Sequence, residues 1–299
     1  MGTETRYAKV QPSVAPLRQV ESTRVATARM LVPRSVEELF RDKQRMMASA
    51  VLEEPRSGLF VFAAHLRFGH VARLWLEAGA TPRAGLIGRH DSVDLALPLD
   101  DALSLRHLMF VVRKESDGVR FAALDLETVN GVQLESGQQA RLVEAVGPLI
   151  VAASDFVFFC VPTGQPLAWN PDAANPWATL LPRAVSRLEP LEAATGEALV
   201  GRVELRSPQG RGNRLVDAAS LRRGVLVGRA ERCDVVTTTT TVSRVHAVLL
   251  HLDDEVFLFD AGSSNGTWRG DDEVKVAALR DEEPFMLGSE VSLRWHAAH

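Results

Sequence analysis

Residues 228–267 read GRAERCDVVTTTTTVSRVHAVLLHLDDEVFLFDAGSSNGT, and this stretch decides the fold. Three short motifs follow one another within it: GR at 228–229, SRVH at 243–246 and DAGSSNG at 260–266. Each motif is common when it stands alone, since Asn-Gly, for example, is a frequent two-residue hairpin turn. The order and the spacing of the three motifs therefore carry the information.

The same three motifs occur once more, earlier in the chain. GR stands at 88–89, SLRH at 104–107 and DLETVNG at 125–131. Arg229 follows Arg89 by 140 positions, and the two motif serines are 139 positions apart. A period this long, with no shorter repeat inside it, indicates two whole domains in tandem and not a solenoid of small units.

The ordered motifs resemble those of the forkhead-associated (FHA) domain family, whose members bind phosphothreonine peptides. The resemblance covers about 198–295 and, more loosely, 71–162. It implies two tandem antiparallel β-sandwiches with the binding loops at one end of each. Strand-like apolar runs between clusters of Gly, Pro and Asp also predict an all-β fold for both copies.

The sequence predicts a division of the chain into five segments. They are a flexible tail at 1–33, a short helical segment at 34–56, a divergent FHA-like domain at 57–163, a linker at 164–195 and a second FHA domain at 196–299. Ser35 and Glu38 have the spacing of a capping box, and the helical stripe includes Met46 and Met47. The linker prediction rests on Pro and Asn content, although Trp169 and Trp177 suggest that part of it packs against a domain.

In the second copy, the resemblance implies that Arg229, Ser243, Arg244, Ser264 and Asn265 bind the phosphopeptide. A phosphate near neutral pH carries close to two negative charges and three acceptor oxygens. Its site therefore needs a guanidinium fork, short hydroxyl or amide donors and no nearby carboxylate. Taken singly, Arg229 is an ordinary surface arginine and Asn265-Gly266 an ordinary turn.

Other motif residues are interpreted as structural support for the loops. They are Gly228, His246 and Gly266 in the second copy and Gly88, His107 and Gly131 in the first. The imidazole of His246 is expected to hydrogen-bond to backbone and to hold its loop. The five threonines at 237–241 are predicted to form an extended loop that borders the site.

The first copy contains a second, weaker candidate site that departs from the family pattern. Its residues are Arg89, Ser104, Arg106 and Asn130. Leu105 stands where the second copy has Arg244, Val129 replaces Ser264, and Glu127 brings a carboxylate near the expected phosphate. Since a like charge opposes phosphate binding, we expect the first copy to bind weakly or to make protein contacts only.

Composition narrows the function classes. The chain has 299 residues, a net charge of -4, 46% apolar residues and 24% charged residues. The charges are interspersed and Cys160 and Cys233 lie far apart, so we expect no nucleic acid, no membrane, no metal and no disulfide. We expect a cytoplasmic protein without a cofactor. The sequence lacks the common hydrolase and nucleotide-binding motifs, so we expect no catalytic residues and no enzyme activity.

The leading hypothesis is a non-enzymatic adaptor that binds threonine-phosphorylated protein downstream of a serine/threonine kinase. The alternative is a scaffold that uses both sandwiches for protein contacts without phosphate. The tail contributes a further candidate ligand, since Thr3 and Thr5 are accessible to a kinase. A tethered phosphorylated tail would compete with added phosphopeptide at an effective concentration near millimolar; the simpler alternative is that the tail is unmodified.

Overall fold

The computed structural model describes residues 33–98, 101–126, 128, 131–181, 183–192 and 197–298. The predicted tail at 1–33 lies outside the described residues apart from Pro33. Among the described residues, two α-helices, α1 (Val36–Glu53) and α2 (Ala218–Arg223), accompany a chain made mostly of strands. The all-β prediction is therefore confirmed.

The first copy is a sandwich of two six-stranded sheets. Its strands are β1 (Gly58–His65), β2 (Val71–Glu77), β3 (Arg83–Gly88), β4 (Leu95–Ala96), β5 (Leu108–Glu115), β6 (Gly118–Asp125), β7 (Val132–Leu134), β8 (Gln139–Ala140), β9 (Leu142–Val146), β10 (Leu149–Ala153), β11 (Phe156–Thr163) and β12 (Ala184–Glu189). One sheet has the order β2-β1-β11-β10-β7-β8 and the other β12-β9-β6-β5-β3-β4.

The second copy repeats this arrangement. Its strands are β13 (Leu199–Ser207), β14 (Gly210–Asp217), β15 (Val225–Gly228), β16 (Val235–Val236), β17 (Ala247–Leu252), β18 (Glu255–Asp260), β19 (Thr267–Arg269), β20 (Asp272–Glu273), β21 (Val276–Ala278), β22 (Pro284–Leu287) and β23 (Val291–Ala297). The sheet orders are β14-β13-β23-β22-β19-β20 and β16-β15-β17-β18-β21. Strand for strand, this is the topology of the first copy without β12.

The sheets depart from the predicted antiparallel pairing at one place in each copy. β3 pairs with β4, and β15 with β16, in parallel over two residues. In each pair the first strand ends at the glycine of a GR motif and the second strand follows that motif. The parallel pairing therefore belongs to the repeated loop region and is the same in both copies.

The central strands are buried on both faces. In β5, Leu108 and Phe110 point into the core of the first sandwich, whereas Met109 and Val111 belong to a different apolar cluster. That cluster joins the outer face of the β3–β5–β6 sheet to the outer face of the β15–β17–β18 sheet. The two sandwiches therefore share an apolar interface in addition to their separate cores.

Helix α1 covers the other outer face of the first copy. Ser35 Oγ accepts a hydrogen bond from the backbone N of Glu38, and the Glu38 carboxylate accepts one from the backbone N of Ser35, so the capping box is present. The helix buries Phe40 against Phe159 of β11. Met46, which the sequence placed on the packing stripe, is 41% exposed, because the buried stripe runs through Met47 and Val51 instead.

Much of the predicted linker at 164–195 packs on the first copy. Trp177 and Leu180 are buried beneath α1, and Gln165 accepts a hydrogen bond from the backbone N of Val119. Farther on, β12 pairs with β9 along the sheet edge. These residues lie against the first sandwich, because their apolar side chains and backbone groups find partners there.

Candidate phosphopeptide-binding site

The fold brings the three motifs of the second copy to one end of the sandwich. The GR motif ends β15, the SRVH motif precedes β17, and the DAGSSNG motif connects β18 to β19. Because β15 and β17 are antiparallel, and β17 and β18 are antiparallel too, the end of β15, the start of β17 and the end of β18 lie together. Strand topology alone therefore places the motif loops side by side.

Hydrogen bonds then tie the loops together. The backbone N of Arg229 donates to the backbone O of Ser243 at 3.1 Å. The backbone N of Ser264 donates to Ser243 Oγ at 3.0 Å, and Asn265 Nδ2 donates to the backbone O of Thr241 at 2.8 Å. The hydroxyl of Ser243 uses a lone pair in this arrangement, so its proton remains free to donate to a ligand.

Two glycines of the motifs have specific structural requirements. A Cβ atom built on Gly228 would lie 2.1 Å from the backbone O of Arg244, so no larger residue fits there. Gly266 has φ of +74°, a left-handed conformation that glycine adopts without strain. Trp268 Nε1 donates to the backbone O of Asn265 at 2.9 Å and completes the turn.

His246 is fully buried and binds backbone at both ring nitrogens. Nδ1 accepts from the backbone N of Ser243 at 3.1 Å, and Nε2 lies 3.1 Å from the backbone O of Gly266. This pattern assigns the neutral tautomer with the proton on Nε2. Burial lowers the pKa of His246 below its ordinary value, against the opposing attraction of Asp260.

We expect His246 to make stability depend on pH. Below pH of about 6.5 the imidazole of the unfolded chain takes up a proton, whereas the folded chain does not until a lower pH. The free energy of unfolding should therefore fall as the pH drops from about 7 to 5, by at most about 1.4 kcal/mol per pH unit from this residue. Denaturant titrations at several pH values should show a shallower fall for His246→Asn, and parallel curves would contradict this assignment.

Asp260 organises the loop that carries Ser264 and Asn265. Its buried carboxylate accepts hydrogen bonds from the backbone N and the hydroxyl of Ser263 and from Thr267 Oγ1. Asp125 plays the same part in the first copy, where it accepts from the backbone N and the hydroxyl of Thr128. The aspartate of the third motif thus shapes the loop, and its carboxylate faces hydroxyl and amide donors of its own loop.

The candidate ligand-binding side chains of the second copy are accessible. Arg229, Arg244, Ser264 and Asn265 are exposed, and Ser243 is half-buried. Within the described parts of the chain, no carboxylate lies within 4 Å of the guanidinium nitrogens of Arg229 or Arg244. Two uncompensated cations beside free hydroxyl donors suit a dianionic ligand.

The first copy arranges the corresponding backbone in the same way, but its arginine has a carboxylate partner. Arg89 Nη1 lies 3.2 Å from Asp101 Oδ1, and the second copy has Thr240 at the position of Asp101, three residues before the motif serine. Ser104 N donates to His107 Nδ1 at 3.0 Å. Gly88 and Gly131 repeat the close approach and the positive φ of their counterparts.

The remaining first-copy residues do not assemble into a second such site among the described residues. Asn130, Glu127 and Val129 lie outside the described residues. Leu105, at the position of Arg244, is 38% exposed. Arg106 extends toward the second copy, where a Cβ atom built on Gly262 would lie 3.3 Å from its Nε.

Asp260 and Trp268 also shape this site, and the sequence had indicated no role for either of them. The D-x-x-[ST] spacing in both copies was a usable signal for Asp260, because a short acceptor side chain commonly binds donors two or three residues ahead. The threonine loop was expected to border the site, and the bond from Asn265 to Thr241 shows one such contact. No sequence signal indicated Trp268.

The described residues include no group of three or more His, Cys, Asp or Glu side chains arranged to hold a metal ion. In the same part of the chain, no helix combines the length and the apolarity that crossing a bilayer requires.

The comparisons with known proteins concern about a third of the chain or less. The FHA domain family model matches residues 225–288. The Slr1951 protein from Synechocystis sp. is 23% identical with a TM-score of 0.30, covering 33% of this chain and 99% of that one. The FHA domain of CT664 from Chlamydia trachomatis is 19% identical with a TM-score of 0.30, covering 33% of this chain and 99% of that one. Mycobacterium tuberculosis Rv1747 FHA-1 is 21% identical with a TM-score of 0.27, covering 32% of this chain and 98% of that one. No curated protein matches the sequence.

Proposed function

We propose that the chain is a non-enzymatic adaptor that binds phosphothreonine peptides through its second copy. The observation that carries the proposal is the pair of accessible arginines, Arg229 and Arg244, which flank the bond between Ser243 and Ser264 and have no carboxylate partner among the described residues. The family match over 225–288 supports the same reading. The partner would be a protein phosphorylated by an upstream serine/threonine kinase, in the cytoplasm.

The expected affinity follows from the donors available. Three or four charge-assisted hydrogen bonds contribute about 5–10 kcal/mol in total. Ordering a flexible peptide costs about 2–5 kcal/mol of this gain. Apolar contact around the threonine methyl adds to the remainder, so a dissociation constant on the order of micromolar is expected. Such an affinity suits reversible signalling.

A binding comparison tests the proposal. The full chain is titrated with three peptides of one sequence that carry phosphothreonine, phosphoserine or unmodified threonine. We expect micromolar binding of the first, about fourfold weaker binding of the second because one buried methyl is lost, and none of the third. Equal affinity for the phosphorylated and unphosphorylated peptides would support the scaffold alternative instead.

The first copy is proposed to act as a structural domain and not as a second phosphate site. The ion pair between Arg89 and Asp101 compensates the charge that a phosphate would need. Leu105 offers an exposed apolar side chain where the second copy has Arg244. A phosphopeptide titration should therefore saturate at one peptide per chain, and a stoichiometry of two would contradict this assignment.

A further inference from the structure

The interface between the two copies is built from equivalent residues. The apolar side chains from the two outer faces correspond in pairs: Leu86 and Leu226, Met109 and Val248, Val111 and Leu250, and Leu124 and Phe259. In each pair the two residues stand at the same distance from the same motif. Both copies therefore contribute the same patch to the interface, as the two subunits of an isologous dimer do.

Contacts across the interface fix the orientation of the two copies. At the motif end, a Cβ atom built on Gly262 would lie 2.8 Å from Leu86 Cδ1. At the opposite end, Arg113 Nη2 of β5 lies 3.3 Å from Asp253 Oδ1 in the β17–β18 turn. The two sets of motif loops therefore lie at the same end of the paired sandwiches.

Arg106 breaks the equivalence at the motif end. It stands in the SLRH motif where the second copy has Val245. Its half-buried side chain lies beside Gly262, two residues before Ser264, and burial lowers its pKa. Asp260 and Arg244 lie close enough to influence that pKa too. No carboxylate lies within 4 Å of its guanidinium in the described portion of the chain.

From this placement we infer that Arg106 of the first copy belongs to the phosphopeptide site of the second copy, supplying a fixed positive charge behind the Ser264–Asn265 loop. The inference rests on the proposed function. Asp260 is near enough to attract Arg106, but its carboxylate accepts hydrogen bonds from Ser263 and Thr267 and lies more than 4 Å from the guanidinium. A charge that is shielded from water on one side acts over a longer distance than an exposed one.

The first copy thus acts on its neighbour's ligand. It places the guanidinium group of Arg106 beside the site of the second copy. The second copy has no such group of its own, because Val245 stands at the corresponding position. The phosphate contacts the side chains of Arg229 and Arg244 directly. Arg106 does not contact the phosphate and attracts it electrostatically over a longer distance. The ligand recognised remains one phosphothreonine peptide, and the affinity for it depends on both copies.

The test uses the full chain with Arg106→Gln, which removes the charge, and Arg106→Lys, which keeps it. We expect Arg106→Gln to weaken phosphothreonine-peptide binding about fivefold at low salt, with a smaller difference as salt rises, and Arg106→Lys to restore most of the affinity. Lys114→Gln is the control, since it removes an equal charge from an exposed side chain at the far end of β5 that makes no ion pair among the described residues, and it should bind like the unaltered chain.

A second measurement does not require a ligand. Burial is the main reason that the pKa of His246 is low, and the charge of Arg106 lowers it further. An NMR titration should therefore find that pKa higher in Arg106→Gln and unchanged in Lys114→Gln. If the unaltered chain binds peptide and Arg106→Gln binds it equally well, the inference is overturned while the proposed function stands. If the unaltered chain binds no phosphopeptide, both are overturned.

Discussion

Replacing Arg229 by alanine is expected to weaken phosphothreonine-peptide binding at least about tenfold, since a bidentate charge-assisted contact is lost. The melting temperature should change by less than about 2 °C, because the Arg229 side chain is exposed and makes no ion pair among the described residues. Ser243→Ala should have a similar effect on affinity. It should lower the melting temperature slightly, because Ser243 Oγ accepts a hydrogen bond from the backbone N of Ser264.

Arg89→Ala is the informative comparison for Arg229→Ala. Arg89 occupies the same position in the first copy but is paired with Asp101, so its loss should change the affinity less than about twofold. Calorimetric titration and thermal unfolding of the three variants together separate binding from folding. Unfolding of the Arg229→Ala chain would show that the arginine is structural and would remove the central residue of the proposed site.

The repeated motifs made much of the fold predictable. A glycine that closely approaches a neighbouring backbone, as Gly228 does, and a glycine with a positive φ, as Gly266 has, leave a trace in the sequence because a larger residue there would clash or be strained. The strands between the motifs carry apolar runs that are easily recognised. β14 carries no such signal, because its exposed residues include Gly210 and Gly212 and show no alternating pattern.

The short elements could not be predicted for another reason. α2 is a six-residue helix whose first turn is capped by Asp217, which accepts a hydrogen bond from the backbone N of Ser220. A helix this short has no stable periodicity to detect and is held by packing, here through Leu221 in the core of the second copy. β12 likewise owes its conformation to the free edge of β9.

The candidate site was predictable as a set of residues but not as an assembly. The motifs indicated Arg229, Ser243 and Asn265, whereas the bonds that join their loops depend on strand pairing across the sheet.

The interface between the copies has one sequence signal. The runs at 108–112 and 247–250 are apolar throughout, and a strand with one face in water alternates instead. The contact with Arg106 follows from that interface and has no sequence signal.

The second copy, produced alone as residues 197–299, is expected to form a homodimer. Without the first copy, its outer face exposes Leu226, Val248, Leu250 and Phe259, all of which are fully buried in the intact chain. Monomeric proteins rarely expose contiguous apolar patches larger than a few hundred Å². The face that normally covers this patch is made of equivalent residues, so a second copy of residues 197–299 offers a closely similar surface.

Symmetry makes a closed dimer the expected product, since two identical faces related by a two-fold axis leave no further face unpaired. Light scattering at about 100 μM, far above a nanomolar-to-micromolar dissociation constant, should give twice the monomer mass for residues 197–299 and a single-chain mass for the intact protein. Leu250→Arg in the isolated copy should restore the monomer, because a guanidinium at the centre of the interface would be desolvated without a partner. A stable, soluble monomer of the unaltered fragment would contradict this prediction. It would mean that the apolar outer face of the second sandwich can be exposed to water, although the first sandwich covers it in the intact chain.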